Sequence, residues 1–274
     1  VVQSSWAFHV AGSNHCHKHP FGDRLWWHVN RVWPMRIVVF VLALLCTLPA
    51  FGRSPYSDAQ LIDGFNRTVF GSEYATILQR TGLVGANYVR KFAEPVRFYI
   101  NNGHTAVSER KVRAFINSLN GFIEGLDAKI IAEPSRANFT VHIVRRRDYA
   151  RTVRRDVFGR SNAPVRGRCM VRAVFSRAGI ARSDAVIVAD EGLDLFSRCM
   201  VEEILQGLGP LNDDRTLKHS IFNDESRFTD FRRFDRLILN MLYDPALPPG
   251  LPQADAARRL PAVLQRVRRA VEGP

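Results

Sequence analysis

The chain has 274 residues, 46% of them hydrophobic, with four cysteines and 14 prolines, a profile that excludes a disordered chain, a collagen repeat and a dense disulfide scaffold. Lysine and arginine number 39 against 26 aspartates and glutamates, and a formal charge of +13 would suit a nucleic-acid or anionic-membrane ligand if it covered the surface. It does not: residues 53–274 hold 35 basic and 25 acidic residues, and residues 145–182 alone, with 12 arginines and two aspartates, account for the surplus of ten. That segment carries no alternating aromatic platforms for stacking bases, so no nucleic-acid partner is expected.

Composition breaks near the N-terminus, where the first 46 residues contain all four tryptophans, five of the eight histidines and two of the four cysteines. At Met35 a basic residue, Arg36, precedes the apolar run Ile37–Phe51, and the small residues Ala50 and Gly52 end it. These three parts make a secretory signal over residues 35–52, shorter than the roughly 20 residues of a membrane span. An uncleaved anchor is the alternative; Cys46, preceded by Leu45 rather than a small residue, speaks against lipidation. Residues 1–34 sit upstream of a complete export signal and are expected to be missing from the mature protein, together with the metal-like spacing of His15, Cys16, His17 and His19. The expected location is periplasmic or secreted. The expected organisation is one domain over 53–250 and a basic tail over 251–274.

The exported part opens with a helix, because Ser57 and Gln60 form a capping box and Leu61, Ile62, Phe65 and Val69 follow at helical spacing. Val96–Ile100 reads as a strand after Pro95. From Ser108, the residues Val112, Phe115, Ile116, Leu119, Phe122, Ile123 and Leu126 recur every three or four positions, which predicts a long amphipathic helix. Lys129–Ala132, Phe139–Val144 and Ala185–Ala189 read as short strands. A second helix over 198–208 stops at Gly209-Pro210, and a third over 230–243 stops before Pro245. Ala256–Val271 is a basic helix without an evident place. Cys169 and Cys199 remain as an even pair in an exported chain and read as a disulfide, worth about 3–4 kcal/mol for a loop of about 30 residues. A thiolate metal site is the rival.

The helix beginning at Cys199 carries the most chemistry. Val201, Ile204, Leu205 and Leu208 share one face, and Glu202, Glu203 and Gln206 share the other, which by itself describes a solvated acidic side. Gly207 and Gly209 then end the helix, with Asn212, Asp213 and Asp214 just beyond. The spacing resembles the zinc-metallopeptidase motif His-Glu-x-x-His-x-x-Gly-x-x-His, with Glu202, Gln206 and Asn212 at the ligand positions, Glu203 at the general base and Gly209 at the turn. Ser220–Asp224 stands where that family has its methionine turn, and Phe234–Tyr243 resembles its closing helix. The resemblance implies an α+β, zincin-like fold: a small mixed twisted sheet, a long backing helix, a motif helix and a closing C-terminal helix. The chain is also similar to a bacterial family of exported proteins, domain of unknown function family 2927, in Cys199-x-x-Glu-Glu-x-x-Gln-x-Leu-Gly209 with Asn212-Asp213, Phe222-Asn-Asp224, Leu242-Tyr-Asp-Pro245 and Pro249-Gly250. It departs at Pro210, where a Leu-Pro order is usual.

That family supplies no reaction, so donor chemistry has to decide. Zinc in peptidases is held by two imidazoles four residues apart and a third ligand. Glu202, Gln206 and Asn212 offer one carboxylate and two neutral amides, closer to what calcium or magnesium accepts, so a zinc cofactor is not expected. Only His104, His142 and His219 remain after processing, and His219 is the one close in sequence. Without a metal, Glu203 faces a water of pKa near 15.7, and general-base help worth roughly 10²–10⁴ makes no efficient peptidase. The residues therefore describe a degenerate metallopeptidase-like module that binds or supports something in the cell envelope, with Glu202, Glu203, Gln206, Asn212 and Asp213 as a polar cleft wall. Arg145, Arg146, Arg147, Arg154 and Arg155 would form a rim for an anionic envelope component. The rival is a divalent-metal hydrolase with Glu203 as base and Glu202, Gln206 and Asn212 or Asp213 as ligands. A third possibility makes the arginine-rich segment a solvated loop and another envelope protein the partner.

Overall fold

Alternation in Phe139–Val144 lays out the molecule: Phe139, Val141 and Ile143 enter the larger apolar core, whereas Val144 enters a smaller one on the opposite side. In this computed structural model, which describes residues 54–71 and 87–273, that run is β3, the middle of a sheet ordered β2-β1-β3-β5-β4. The other strands are β1 (Val96–Asn102), β2 (Ala128–Ile130), β4 (Cys169–Ser176) and β5 (Gly179–Val188). β2, β1, β3 and β5 run parallel, and β4 lies antiparallel to β5 along one edge. The structure is α+β with a mixed five-stranded sheet; β4 and a short helix after β3 were not read from the sequence.

Helix α1 (Asp58–Phe65) begins with the expected capping box: Ser57 Oγ accepts from the Gln60 N–H at 3.2 Å and Gln60 Oε1 accepts from the Ser57 N–H at 2.8 Å. One π turn, Asn66–Phe70, continues it. Parallel neighbours need a crossover, and α2 (Ala106–Phe122), capped by Thr105, provides the one between β1 and β2 while burying Val112, Ile116 and Leu119. The next crossover, α3 (Arg146–Thr152) with a second π turn, Val153–Val157, covers the opposite sheet face through Tyr149, Val153 and Val157, which pack with Val186 and Val188. α4 (Leu193–Gln206) and α5 (Arg233–Tyr243) join the larger core. The basic C-terminal residues form α6 (Gln253–Glu272), whose Ala256, Leu260, Val263 and Leu264 belong to that same core. The export signal expected over 35–52 and the residues before it lie outside the described part. Among the described residues no helix is long and apolar enough to cross a membrane.

Two adjacent cations in the segment entering β1 are buried as caps. Arg90 donates to the carbonyls of Val69 and Gly71, at the end of the first π turn. Lys91 Nζ donates to the carbonyls of Leu242 at 2.9 Å and Asp244 at 3.1 Å, where α5 ends, and burial pulls its pKa down to about 8. Lys91→Met keeps the volume but takes a donor from the Leu242 carbonyl and leaves the Asp244 carbonyl only the Leu247 N–H, so chemical unfolding should show a loss of about 1–2 kcal/mol. Unchanged stability would mean those carbonyls find other donors.

Candidate functional site

α4 is apolar on the side that Phe196, Val201, Ile204 and Leu205 turn into the core, but its acidic side is buried too: Glu202, Glu203 and Gln206 are only 5%, 6% and 7% exposed. The solvated acidic side suggested by the helical wheel is therefore absent. What covers it is local. A disulfide joins Cys199 on α4 to Cys169 at the start of β4, with Cα atoms 5.8 Å apart, and ties the sheet edge to the helix. Cys169 Sγ lies within 4.8 Å of carboxylate oxygens of Glu202 and Glu203, so the disulfide packs directly on both acids. Because its sulfur is oxidised, it offers no thiolate to a metal.

After α4 the chain turns sharply. A side chain at Gly207 would run into the Phe139 ring, and Gly209, at φ +146°, has the backbone carbonyl of Arg90 against it. Both positions need glycine. The turn brings Asp213 back to the helix, where Gln206 Nε2 donates to Asp213 Oδ1 at 2.6 Å. Glu202, Asp213 and Asp224 each bring one oxygen within 4.8 Å of the others. Arg198, one turn before Glu202, places its Nε 3.3 Å from Glu202 Oε2 and donates to the Asp224 carbonyl at 2.9 Å. Burial, then the neighbouring Asp213 charge, pushes the Glu202 carboxyl up to about 8 against the pull of Arg198.

The loop after Asp213 is pinned at several points. The Asp214 N–H donates to the Phe222 carbonyl at 2.9 Å, and the Asp214 carboxylate pairs with Arg67 at 3.0 Å. Ser220 Oγ and the Ile221 N–H donate to the two oxygens of Asp235 at 2.6 and 3.0 Å. Asp235, on α5, is fully buried, and burial pushes it up to about 7. The segment Ser220–Asp224 is thus an irregular loop hung on a buried carboxyl.

Four of the expected site residues, Glu202, Glu203, Gln206 and Asp213, meet around α4. Asn212 is turned elsewhere, its Nδ2 donating to the Arg67 carbonyl at 3.0 Å. Among the described residues, the groups of His, Cys, Asp and Glu close enough to share an ion contain no histidine. The His219 ring packs tilted against Tyr56, centroids 5.4 Å apart, His104 Nδ1 lies 3.4 Å from Ser108 Oγ, and His142 Nε2 lies 3.5 Å from Asp184. Arg198 and Asp235 went unremarked in the sequence; only Arg198, four residues before Glu202, left a readable signal there.

The arginines gather on the other face of the sheet. Arg147, Arg154 and Arg155 line one concavity with Arg151 and Arg160. Arg145 is the residue before α3, and Arg146 donates to the Gly167 carbonyl at 2.9 Å, so these two do not line it. Residues 58–262 match the family described as protein of unknown function (DUF2927). No curated protein matches the chain.

Proposed function

The chain belongs to the DUF2927 family of proteins of unknown function, and since that membership names no reaction, we propose from the site that it is a metallopeptidase-like domain serving as a non-catalytic binding module of the cell envelope. The observation that carries this reading is how the motif positions are spent. Gln206 turns an amide N–H, not an oxygen, toward Asp213; Asn212 is bound to a backbone carbonyl; and the guanidinium of Arg198 supplies from within the chain the positive charge that a cation would bring to Glu202. An amide N–H and a guanidinium cannot coordinate a cation. This donor set does not fit zinc.

The zincin-like part of the proposal is supported by element order: a long helix between β1 and β2, an antiparallel edge strand beside the motif helix, and α5 after it. The envelope part rests on the export signal expected at 35–52 and is supported by the disulfide, which persists in oxidising compartments. Protein purified without a histidine tag should carry far less than one zinc per chain and show no peptide hydrolysis above blank. Stoichiometric zinc, or hydrolysis that is lost in Glu203→Gln and kept in the surface variant Glu94→Gln, would overturn the reading. The convergence of Glu202, Asp213 and Asp224 favours one second reading, a hard divalent cation in a hydrolytic site with Glu203 as base. That reading requires calcium or magnesium to raise the unfolding temperature of the wild type and not of Asp213→Asn.

A further inference from the structure

The arginine concavity is solvated, but its helix is fixed against the sheet. α3 and its π turn are held against the sheet by Tyr149, Val153 and Val157, all buried. Tyr149 Oη donates to the Arg166 carbonyl at 2.9 Å, Arg154 Nε to the Ala163 carbonyl at 3.2 Å, and Arg172 to the Val157 carbonyl at 2.6 Å. These bonds fold residues 158–168 back on the helix and close the concavity between Arg147, Arg151, Arg154, Arg155 and Arg160. Against five guanidiniums stand two carboxylates: Asp148, paired with Arg151 at 2.6 Å and 3.7 Å from Arg147, and Asp156, paired with Arg155 at 2.6 Å. The surplus charge therefore lines an open surface concavity. Arg147, Arg151 and Arg155 keep 74%, 68% and 69% of their side-chain surface, so their free N–H groups face solvent. Crowding like charges raises the energy of the empty protein, and a bound polyanion relieves it.

From this arrangement we propose that the concavity binds a phosphate-bearing ligand. A guanidinium presents paired, coplanar N–H donors that match two oxygens of a phosphate, and several of them around one hollow suit a group carrying two or more negative charges. The site lies on the sheet face opposite the Glu202 cluster and shares no residue with it. The inference gives a ligand class to the binding module proposed above; metal content and hydrolysis test that module by themselves, so the two ideas fail separately.

Pyrophosphate is the soluble probe, and vesicles of phosphatidylcholine with phosphatidylglycerol, against phosphatidylcholine alone, are the lipid probe. Calorimetric titration of the full chain with pyrophosphate should show saturable binding that weakens with added salt. Arg151→Gln/Arg155→Gln/Arg160→Gln should weaken it at least about tenfold, since it removes three guanidiniums that would make charge-assisted bonds to the phosphate. Arg258→Gln, an exposed arginine on α6, should change nothing. The ion pairs removed are exposed and contribute little to folding, so the triple variant stays folded, and an unchanged melting temperature verifies it. The corresponding triple lysine variant keeps the charge and loses the paired donors, and should lie between the two. Binding to the anionic vesicles that pyrophosphate displaces identifies a lipid headgroup; pyrophosphate binding without vesicle binding identifies a soluble phosphate. Binding of neither probe, or binding equal in the wild type and the triple glutamine variant, overturns the proposal.

Discussion

Asp235→Ala should cost about 3–5 kcal/mol of unfolding free energy and lower the melting temperature by roughly 10 °C, measured by urea and thermal unfolding at pH 6. Two costs add. The Ser220 hydroxyl and the Ile221 N–H both donate to the Asp235 carboxyl in a place without solvent, and removing the acceptor strands both donors. The lost side chain also leaves a void on a buried face of α5. Asp235→Asn keeps the volume and one acceptor oxygen but turns an NH2 toward a donor, so it should cost less than the alanine. Equal losses in the two variants would show that volume, not hydrogen bonding, holds the loop.

This carboxyl also marks where reading the sequence stops. Strand Phe139–Val144, the helix around Val112–Leu119 and the turn at Gly209-Pro210 were legible because hydrophobic spacing and glycine chemistry are local. β4 and α3 were missed because arginines interrupt their patterns: Tyr149, Val153 and Val157 recur every four residues, but the residues between them read as a run of charge. For the site, Glu202, Glu203, Gln206 and Asp213 could be named from spacing alone. Their burial could not. It comes from a cover 30 residues away in sequence, Cys169, and from loops whose positions depend on partners such as Arg67 and Asp235. Arg90 and Lys91 make the same point: as neighbours in sequence they read as surface charge, and only the fold shows each one ending a different helix.

Glu202→Gln should stabilise the protein at pH 8.5 by about 2–4 kcal/mol and change little at pH 4.5, compared by urea unfolding at the two pH values. The sign follows from the direction of the shift. The carboxyl stands near 8 in the folded protein and near 4.5 when unfolded, so between those values the unfolded chain sheds a proton that the folded one keeps, and stability falls as pH rises through that window. Glutamine has no proton to lose and removes this part of the slope. Asp235, pushed up to about 7, contributes a fall of the same sign between about pH 4 and 7, so a residual slope in that range should survive in Glu202→Gln and end near pH 7. Arg198 would not be stranded by the substitution, because its guanidinium still donates to the Asp224 carbonyl and is partly solvated. The experiment separates the two readings of the site. If Glu202 were the anchoring ligand of a resident cation, it would be ionised in the folded protein, and replacing it would destabilise the chain at pH 8.5. A gain there means that burial makes ionising this carboxyl costly, which a bound cation would have offset.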